Sequence, residues 1–580
     1  MAILGVIKRC CYPDVGALFS ALDFSVYFGC VLVAMVGGLL YMSNIFARPD
    51  GARRRGFRSQ PIMDRTEFFG SQVGGESVIS YSYTDMPWRL MMWDVKYFFT
   101  FAWALPWVLW PIRPCDGDHF DELSFTWQNM KCIAIHSILI VMQLFFVLTL
   151  PLALLLPAWM VILWWGAFFS VNWFLCLGLN GSTITFHSDP KYAPALEEHA
   201  HEQWIFLNGV AVGEAWLKSN INRLALTFKR PIIGVHNRTT GVIFDVVECL
   251  IQRNFGYATS DIRLAYKIIK EKLYNPQYTK VVFILHSQGG IEGGLVLDWL
   301  LQELPQDLLS KLEVYTFGNA SNHFNNPHRH VDSQEAENKL PRTDTLIPTT
   351  ITEVPLTDSP IETRPVPSKR RLSNGSGYFS EANRRIPTLT AMESDLSSRA
   401  TVYTVPASDR AIAHVEHYAH TTDFVALWGI LHFVTNERAT PQMPRYIGRV
   451  FSRTSARGGH QFCQHYLNGM FPLARDAKGE FIGCAERNEF MSSIVEVAKK
   501  GAEKDNLREA VDNNWSLIEL AGRKGSIVKG EVAVHGSFHE DDDINDGNVR
   551  VKDLSRLWQY RNGRSPPDLP REVRRMTFEY

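Results

Sequence analysis

The residues best suited to covalent chemistry lie in the stretch VVFILHSQGGIEGG, Val281–Gly294. An apolar run ends in a histidine, a serine follows, and two glycines come soon after it. This pattern predicts a buried strand over Lys280–Leu285 that turns at Ser287 into a helix beginning near Gln288. The reversal needs small neighbours, which the glycines supply. A serine at such a turn projects its hydroxyl above the sheet, where it can attack a carbonyl carbon.

The helix that follows the serine adds a second chemical element. The backbone N–H of Gln288 would point to where the oxyanion of a tetrahedral intermediate forms. The segment LHSQGG resembles the nucleophile elbow of the α/β-hydrolase superfamily, in its lipase-like branch, with Leu285 in place of the first glycine of the motif. The resemblance implies that Ser287 is the nucleophile of a triad whose acid and base follow in that order.

The triad carboxylate is expected downstream of the nucleophile. The segment Leu312–Phe324 resembles the strand and turn that follow the nucleophile in lipases. The segment Val415–Phe433 resembles the next strand with its acid-bearing loop. The resemblance therefore implies that Asp423 orients the catalytic histidine and stabilises its charged form.

The base is expected in Arg445–Leu467, which resembles the last strand, a glycine-rich loop and a closing helix. Two histidines fit this place, His460 on the loop and His465 next to a tyrosine, and we favour His460. The turn after the strand that begins at Trp204 would supply the second oxyanion N–H, for which we nominate Val210.

These residues require a sheet to position them. From about Asp189 the chain alternates short apolar strands with helical segments, which is typical of an α/β sheet. We expect strands over Trp204–Val210 and Arg230–Asn237, and an amphipathic helix over Ser260–Leu273 opened by a Ser cap. The predicted fold class is α/β, an α/β-hydrolase domain with a mostly parallel sheet, preceded by an N-terminal transmembrane helical region.

Long uncharged stretches predict membrane helices ahead of this domain. Phe24–Phe46 carries no charge and is long enough to cross a bilayer, and arginines after it favour a cytosolic side for the following chain. The uncharged Cys132–Asn180 suits two helices, about 133–156 and 158–179, as a hairpin that crosses the bilayer or dips into one leaflet. For 97–112, a crossing and an interfacial helix both remain open.

The whole chain then divides into five parts. We predict a membrane region over 1–188, a first hydrolase part with the nucleophile over 189–325, a disordered insertion over 326–400, a second hydrolase part with Asp and His over 401–475, and a C-terminal extension over 476–580.

Composition excludes several function classes. A net charge of −1 gives no sign of nucleic-acid binding. Nine scattered cysteines without a Cys-x-x-Cys pair suggest neither a disulfide framework nor a zinc site. Histidines at 414, 417 and 420, and at 323, 328 and 330, are expected to be solvated rather than to bind metal. No cofactor is expected.

Three functions are compatible with these features. The first is an integral membrane serine hydrolase that cleaves acyl esters, above all those of lipids, with its hydrolase domain on the cytosolic side of the endoplasmic reticulum or another endomembrane. The second is a thioesterase or acyltransferase that uses the same triad. The third is a membrane scaffold with an inactive hydrolase-like domain, which the leucine at position 285 and the long insertion keep open.

Overall fold

The structure is a computed structural model of the 580-residue chain. It describes residues 65–69, 86–108, 117–327, 329, 410–435, 448–455, 458–497, 527–528, 531–532 and 550–566. The predicted span Phe24–Phe46, the arginines after it and almost all of the insertion over 326–400 lie outside the described residues.

The elements are numbered here in chain order. The strands are β1 (Arg65–Phe69), β2 (Thr185–His187), β3 (Glu202–Leu207), β4 (Ile232–Val235), β5 (Lys280–His286), β6 (Leu312–Phe317), β7 (His414–His420), β8 (Arg449–Thr454), β9 (Leu473–Arg475), β10 (Phe481–Cys484), β11 (Val495–Val497), β12 (Ile527–Val528) and β13 (Glu531–Val532). The α-helices are α1 (Pro87–Phe101), α2 (Trp127–Thr149), α3 (Ala158–Asn180), α4 (Glu214–Phe228), α5 (Val242–Phe255), α6 (Ser260–Tyr274), α7 (Gly289–Glu303), α8 (Gln306–Leu309), α9 (Phe424–Trp428), α10 (Ile430–Thr435), α11 (Asn468–Met470), α12 (Glu489–Ser492), α13 (Val551–Leu554) and α14 (Arg556–Gln559). Shorter turns of other helical types are the 3₁₀ turns Ala102–Val108, Asp118–Phe120, Leu150–Leu154, Glu197–His199 and Arg561–Gly563, and the π-helix Phe462–Leu467.

Nine strands form the main sheet, in the order β11-β1-β8-β7-β6-β5-β3-β4-β2. The strands from β8 to β4 run parallel to one another, and β1 and β2 pair antiparallel at either side of them. The predicted α/β class with a mostly parallel sheet is confirmed. Two of the strands, β1 and β2, come from the region before residue 189, so that region contributes to the sheet as well as to the apolar helices.

The central strand β5 shows why this sheet has two cores. All of its residues are buried, as expected for a parallel strand that is covered on both faces. Val282 and Ile284 pack into the core on one face, with helix α4, whereas Phe283 and Leu285 pack into the core on the other, with helices α6 and α7. Successive side chains of this apolar strand thus point into opposite cores, and the end of β5 lies deep in the molecule.

The predicted amphipathic helix is present as α6. Its buried residues Ile262, Ala265, Ile269 and Leu273 follow the helical repeat and face the sheet. The expected Ser cap is wrong, because Thr259 occupies the N-cap position and Ser260 is already helical. The predicted strands at 204–210 and 230–237 are also present, as β3 and β4, with shorter bounds.

Helices α2 and α3 form the expected apolar hairpin. Each is long and apolar enough to cross a bilayer, with α2 extended by the 3₁₀ turn that follows it. Their rings meet between the two helices, where Phe146 stacks on Phe168 at a centroid distance of 3.9 Å. Most of the remaining apolar surface faces outward, and Leu148 is 72% exposed. The first helix begins earlier than predicted, at Trp127, because Thr126 caps it by accepting from the N–H of Asn129.

Polar side chains hold the hairpin against the domain. The Gln143 Nε2 donates to the carbonyl of Thr240, and the Asn172 Nδ2 donates to the same carbonyl, at 2.8 and 3.1 Å. The Asn180 Nδ2 donates to the carbonyl of Thr239 at 2.7 Å. These three amide side chains are thus buried at the junction with the loop before α5.

The described part of the stretch left undecided at 97–112, residues 97–108, belongs to a helix and turn that pack on the domain. Helix α1 and the 3₁₀ turn after it contact α5 and α9, with Phe98 edge-on to Phe424 at 4.9 Å. Asp94 is buried, accepts from the Arg253 Nε at 2.9 Å and holds the Asn254 amide at 2.7 Å. The outer face of the segment exposes large apolar side chains, namely Met86, Trp88, Met92, Trp93, Trp103 and Leu105.

Residues 550–566 pack at the amino ends of the parallel strands, at the end of the sheet opposite to Ser287. Arg556 pairs with the buried Glu313 at 2.9 Å, and the hydroxyls of Tyr315 and Tyr560 donate to the same carboxylate. Burial raises the pKa of Glu313, but the Arg556 and Lys280 charges outweigh burial and lower this pKa to about 2. The segment around Arg556 is therefore integral to the fold of the sheet domain.

Replacing Arg556 by Met should strongly destabilise the domain, because the Glu313 carboxylate would remain buried without its cation, at a cost of about 3 kcal/mol. We expect the unfolding temperature of the purified protein to fall by about 5 °C or more. Arg564→Met is the matched control in the same segment, since its partner Glu486 is half exposed and such pairs contribute little. Equal unfolding temperatures for the two variants would contradict this role of Arg556.

Candidate active site

The serine lies at a sharp turn between β5 and α7. Ser287 has a φ of +57°, a left-handed conformation that is strained for a residue with a side chain. Its N–H donates to the carbonyl of Phe317 at 3.0 Å, and its carbonyl accepts from Ala320 at 3.2 Å. Residues after strand β6 therefore hold the turn from both sides.

Two glycines after the serine are required by close contacts. A Cβ on Gly289 would lie 2.6 Å from the carbonyl oxygen of Leu207, and a Cβ on Gly290 would overlap the Asn319 side chain. The helix can therefore leave the strand only if both positions lack a side chain. The sequence pattern predicted this requirement correctly.

Leu285 stands where the motif has a glycine, and helix α7 behind it leaves room for its side chain. A Cβ on Gly293 would overlap the Leu285 side chain, so the missing side chain of Gly293 leaves the space that Leu285 fills. Leu285 is fully buried in the core beneath α7. The larger residue before the nucleophile thus leaves the turn geometry intact.

The three residues expected to act together are in contact. The Ser287 Oγ is 2.9 Å from His460 Nε2, and His460 Nδ1 is 2.9 Å from Asp423 Oδ2. With these partners, His460 Nδ1–H donates to the carboxylate and Nε2 accepts from the serine hydroxyl. The side chains come from the carboxyl ends of β5, β7 and β8, which are brought together by the parallel sheet.

Asp423 is set up to remain ionised. Burial raises the pKa of its carboxyl, but the neighbouring His460 and hydrogen bonds outweigh burial, so this pKa lies below its usual value. The Val425 N–H donates to Oδ1 at 2.8 Å, which also caps helix α9.

His465 does not take part in this contact. Its Nδ1 accepts from the N–H of Gln461 at 2.9 Å, and its backbone carbonyl accepts from His420. Of the two histidines that the sequence left open as the base, the structure brings His460 to Ser287. His465 instead supports the loop between them, because it packs against Gly459.

The candidate oxyanion donors flank the serine. The N–H groups of Gln288 and Val210 make no hydrogen bond to any residue that the structure describes. Gly209 lies directly against Ser287, since a Cβ there would be 2.9 Å from Ser287 Oγ and would overlap Ser287 Cβ. The next residue, Ala211, has a φ of +61°, and its N–H donates to Asp245 at 3.0 Å. These contacts hold the turn that carries the Val210 N–H beside the serine.

The side chain of Gln288 is held in a buried polar group. Its Oε1 accepts from Asn237 Nδ2 at 2.8 Å, and its Nε2 donates to Gln252 Oε1 at 3.0 Å. Glu248 also accepts from this amide at 3.3 Å, and burial raises the pKa of Glu248 well above its usual value. The first residue of the helix is thus fixed in orientation together with its N–H.

Glu122 holds the chain that follows His460. Its two carboxylate oxygens accept from the N–H groups of Cys463 and Gln464, at 2.8 and 3.1 Å, at the start of the π-helix. Burial raises the pKa of Glu122 to about 7. Because Glu122 lies just ahead of helix α2, it connects the base of the apolar hairpin to the candidate site.

Sequence reasoning missed His286 and Tyr466 as neighbours of the site. The His286 Nε2 donates to the carbonyl of His460 at 2.9 Å, and burial lowers the pKa of His286 to about 3, which keeps it neutral. His286 adjoins the serine in the quoted motif and could have been found there. Tyr466 carries no such sequence signal.

The histidines expected to be solvated on the strand before Asp423 are buried. His414, His417 and His420 lie on β7, which is an interior strand, so the prediction of solvated positions is wrong for them, as it is for the buried His323. His328 and His330 fall outside the described residues. Within the described part of the chain, no group of three or more His, Cys, Asp or Glu could hold a metal ion.

The chain matches no protein-family model, no curated protein and no solved structure. The geometry of Ser287, His460 and Asp423 and of the residues around them is therefore what indicates a function.

Gly209→Ala should abolish the reactivity of Ser287, because the added Cβ would displace the nucleophile or the turn beside it. We expect labelling by a fluorophosphonate probe to fall at least about 100-fold, comparable with the loss of an oxyanion donor. Gly469→Ala is the control, since its Cβ would meet only Arg453 at an ordinary distance of 3.9 Å. Wild-type labelling of Gly209→Ala would contradict the close approach.

Proposed function

We propose that this chain is an integral membrane serine hydrolase of the α/β-hydrolase type that cleaves acyl esters of lipids. The observation that carries the proposal is the chain of two contacts, each of 2.9 Å, from Ser287 Oγ through the His460 ring to Asp423. The strained conformation of Ser287 supports it, because such strain is found where a nucleophile must be presented.

The proposed reaction follows from these contacts. The Ser287 Oγ attacks the ester carbonyl carbon while its proton passes to His460 Nε2, and the carbonyl electrons move onto oxygen. The N–H groups of Gln288 and Val210 would stabilise this oxyanion. Collapse breaks the bond to the alcohol, which takes the proton from Nε2, and leaves an acyl-enzyme. Water then attacks the acyl-enzyme by the same route and releases the acid.

A lipid substrate is supported by the apolar hairpin. Helices α2 and α3 are long and apolar enough to cross a bilayer and expose most of their surface. Tethering to a bilayer raises the effective concentration of membrane-resident esters near the site. The arginines that follow Phe46 in the sequence favour a cytosolic domain on the endoplasmic reticulum or another endomembrane.

The sequence also allowed two other functions, one that uses the same triad and one that does not need it. A thioesterase or acyltransferase would form the same acyl-enzyme and differ in the leaving group or the acceptor. An inactive scaffold would not need the contacts of His460 to Ser287 and Asp423. The packing of Leu285 against Gly293 supports an active enzyme, because it accommodates the residue that departs from the motif.

Ser287→Ala should abolish labelling of the purified, detergent-solubilised protein by a fluorophosphonate probe. His460→Ala and Asp423→Ala should lower the labelling rate by about 10³-fold or more, since each removes part of the proton path. His465→Ala should retain most of the labelling, as His465 contacts neither Ser287 nor Asp423. Unfolding temperatures of all variants would show that the chain is folded.

Absence of labelling in a folded wild-type protein would overturn the hydrolase proposal and favour the scaffold. If labelling is found, incubation with a phospholipid ester, a triacylglycerol and an acyl thioester would separate the substrate classes. Addition of a lipid alcohol acceptor would separate hydrolysis from acyl transfer, because transfer yields a new ester in place of a free acid.

The full chain should remain in the membrane pellet after alkaline carbonate extraction. A tag at its C-terminus should be digested by protease in sealed microsomes without detergent, as expected for a cytosolic domain. Digestion after detergent treatment controls for access to the tag. Release into the supernatant would contradict membrane integration, and a protected tag would contradict the cytosolic side.

A further inference from the structure

A tyrosine contacts the candidate triad at its acidic end. The Tyr466 hydroxyl donates to Asp423 Oδ2 at 2.6 Å, the same oxygen that accepts His460 Nδ1–H. Tyr466 and Asp423 are both fully buried. Among the described residues the carboxylate therefore has three donors, His460, the Val425 N–H and Tyr466, and of these Tyr466 is the side chain outside the triad.

The tyrosine hydroxyl is itself held in a single orientation. It accepts from the backbone N–H of His420 at 3.2 Å, so its own hydrogen is directed to Asp423. Burial raises the pKa of Tyr466 well above its usual value, and the neighbouring Asp423 charge raises it further. The hydroxyl thus remains protonated and available as a donor.

Two local features allow the Tyr466 hydroxyl to approach Asp423. Tyr466 lies on the π-helix, where its N–H and that of His465 both donate to the carbonyl of Gln461, and such wide turns occur often at functional sites. Gly318 has a φ of +55°, and a Cβ there would lie 2.8 Å from Asp423 Oδ2 and 3.1 Å from the tyrosine hydroxyl. The glycine leaves room for the hydrogen bond.

We propose that Tyr466 is a positioning residue of the candidate triad, whose hydroxyl fixes Asp423 Oδ2 where His460 Nδ1–H must donate. This inference rests on the proposed hydrolase function. The tyrosine hydroxyl, like His460, also stabilises the negative charge of the Asp423 carboxylate by a hydrogen bond. Without the hydroxyl, Asp423 would be less well oriented and would hold the protonated form of the base more strongly.

Tyr466→Phe tests this role, because it removes the hydroxyl and keeps the ring that packs in the core. We expect the rate of fluorophosphonate labelling to fall about 10- to 100-fold, as for loss of an outer partner of a catalytic group. The pH midpoint of the labelling rate should also move upward. Tyr418→Phe is the matched control, since its buried hydroxyl pairs with Ser555 at 2.6 Å and not with the triad. Its labelling rate and pH midpoint should remain those of the wild type.

Two further measurements keep the test decisive. Incorporation of 3,5-difluorotyrosine at position 466 preserves the fold and makes the hydroxyl a stronger hydrogen-bond donor. The pH midpoint of the labelling rate should therefore move downward. This protein still tests the role if Tyr466→Phe does not fold. Unchanged rate and midpoint in the folded Tyr466→Phe or difluorotyrosine proteins, or equal losses in Tyr418→Phe, would overturn the role. Labelling of the wild type and its loss in Ser287→Ala establish the nucleophile separately, so failure of the hydrolase proposal is distinguishable from failure of this one.

Discussion

Much of the structure around β5 depends on the strained backbone of Ser287, whose φ of +57° would relax if its surroundings allowed it. The carbonyl of Phe317 and the N–H of Ala320 hold the turn by hydrogen bonds, and Gly209 approaches it from the neighbouring strand. Because these neighbours come from the ends of β6 and β3, the two strands that flank β5, the turn requires the centre of the parallel sheet. The position of the serine hydroxyl is consequently a property of the fold and not of the local segment alone.

Buried charges bind distant segments to the two ends of this sheet. At the carboxyl end, Asp94 from helix α1 pairs with Arg253, whose guanidinium also lies 3.9 Å from the Trp428 ring centroid. At the amino end, Arg556 pairs with Glu313. Breaking a buried pair leaves an uncompensated charge, so each contact specifies where its segment must lie. Helix α1 is thereby held against helix α9, which follows Asp423, and the C-terminal segment is held away from the candidate site.

The apolar hairpin is joined to the domain by polar groups of its two helices and by Glu122 ahead of them. Gln143 and Asn172 donate to the loop before α5, and Glu122 accepts from the start of the π-helix after His460. If these polar groups turned outward, they would lose their hydrogen bonds and lie in an apolar face. They therefore determine which face of each helix contacts the domain. The hairpin and the loop that carries His460 are consequently parts of one packed unit.

The sequence by itself determined the features that follow from local order. The apolar run before Ser287, its glycines, the helical repeat of Ser260–Tyr274 and the two long apolar helices each depend on residues close in the chain, where periodicity and composition record burial. The acid and the base were found only through a resemblance, and their choice needed more than local order. The span Phe24–Phe46 lies beyond the described residues and remains a prediction.

Only the tertiary structure shows that His460, and not His465, lies against Ser287, because the two histidines are near each other in sequence and the serine is 173 residues away. It also revealed Tyr466 on Asp423, Glu122 on the π-helix and Gly293 beneath Leu285, none of which has a motif. It buried the histidines of β7 by placing that strand inside the sheet. These outcomes depend on which elements pack side by side, and the free energy of such long-range contacts is not recorded in any short window of sequence.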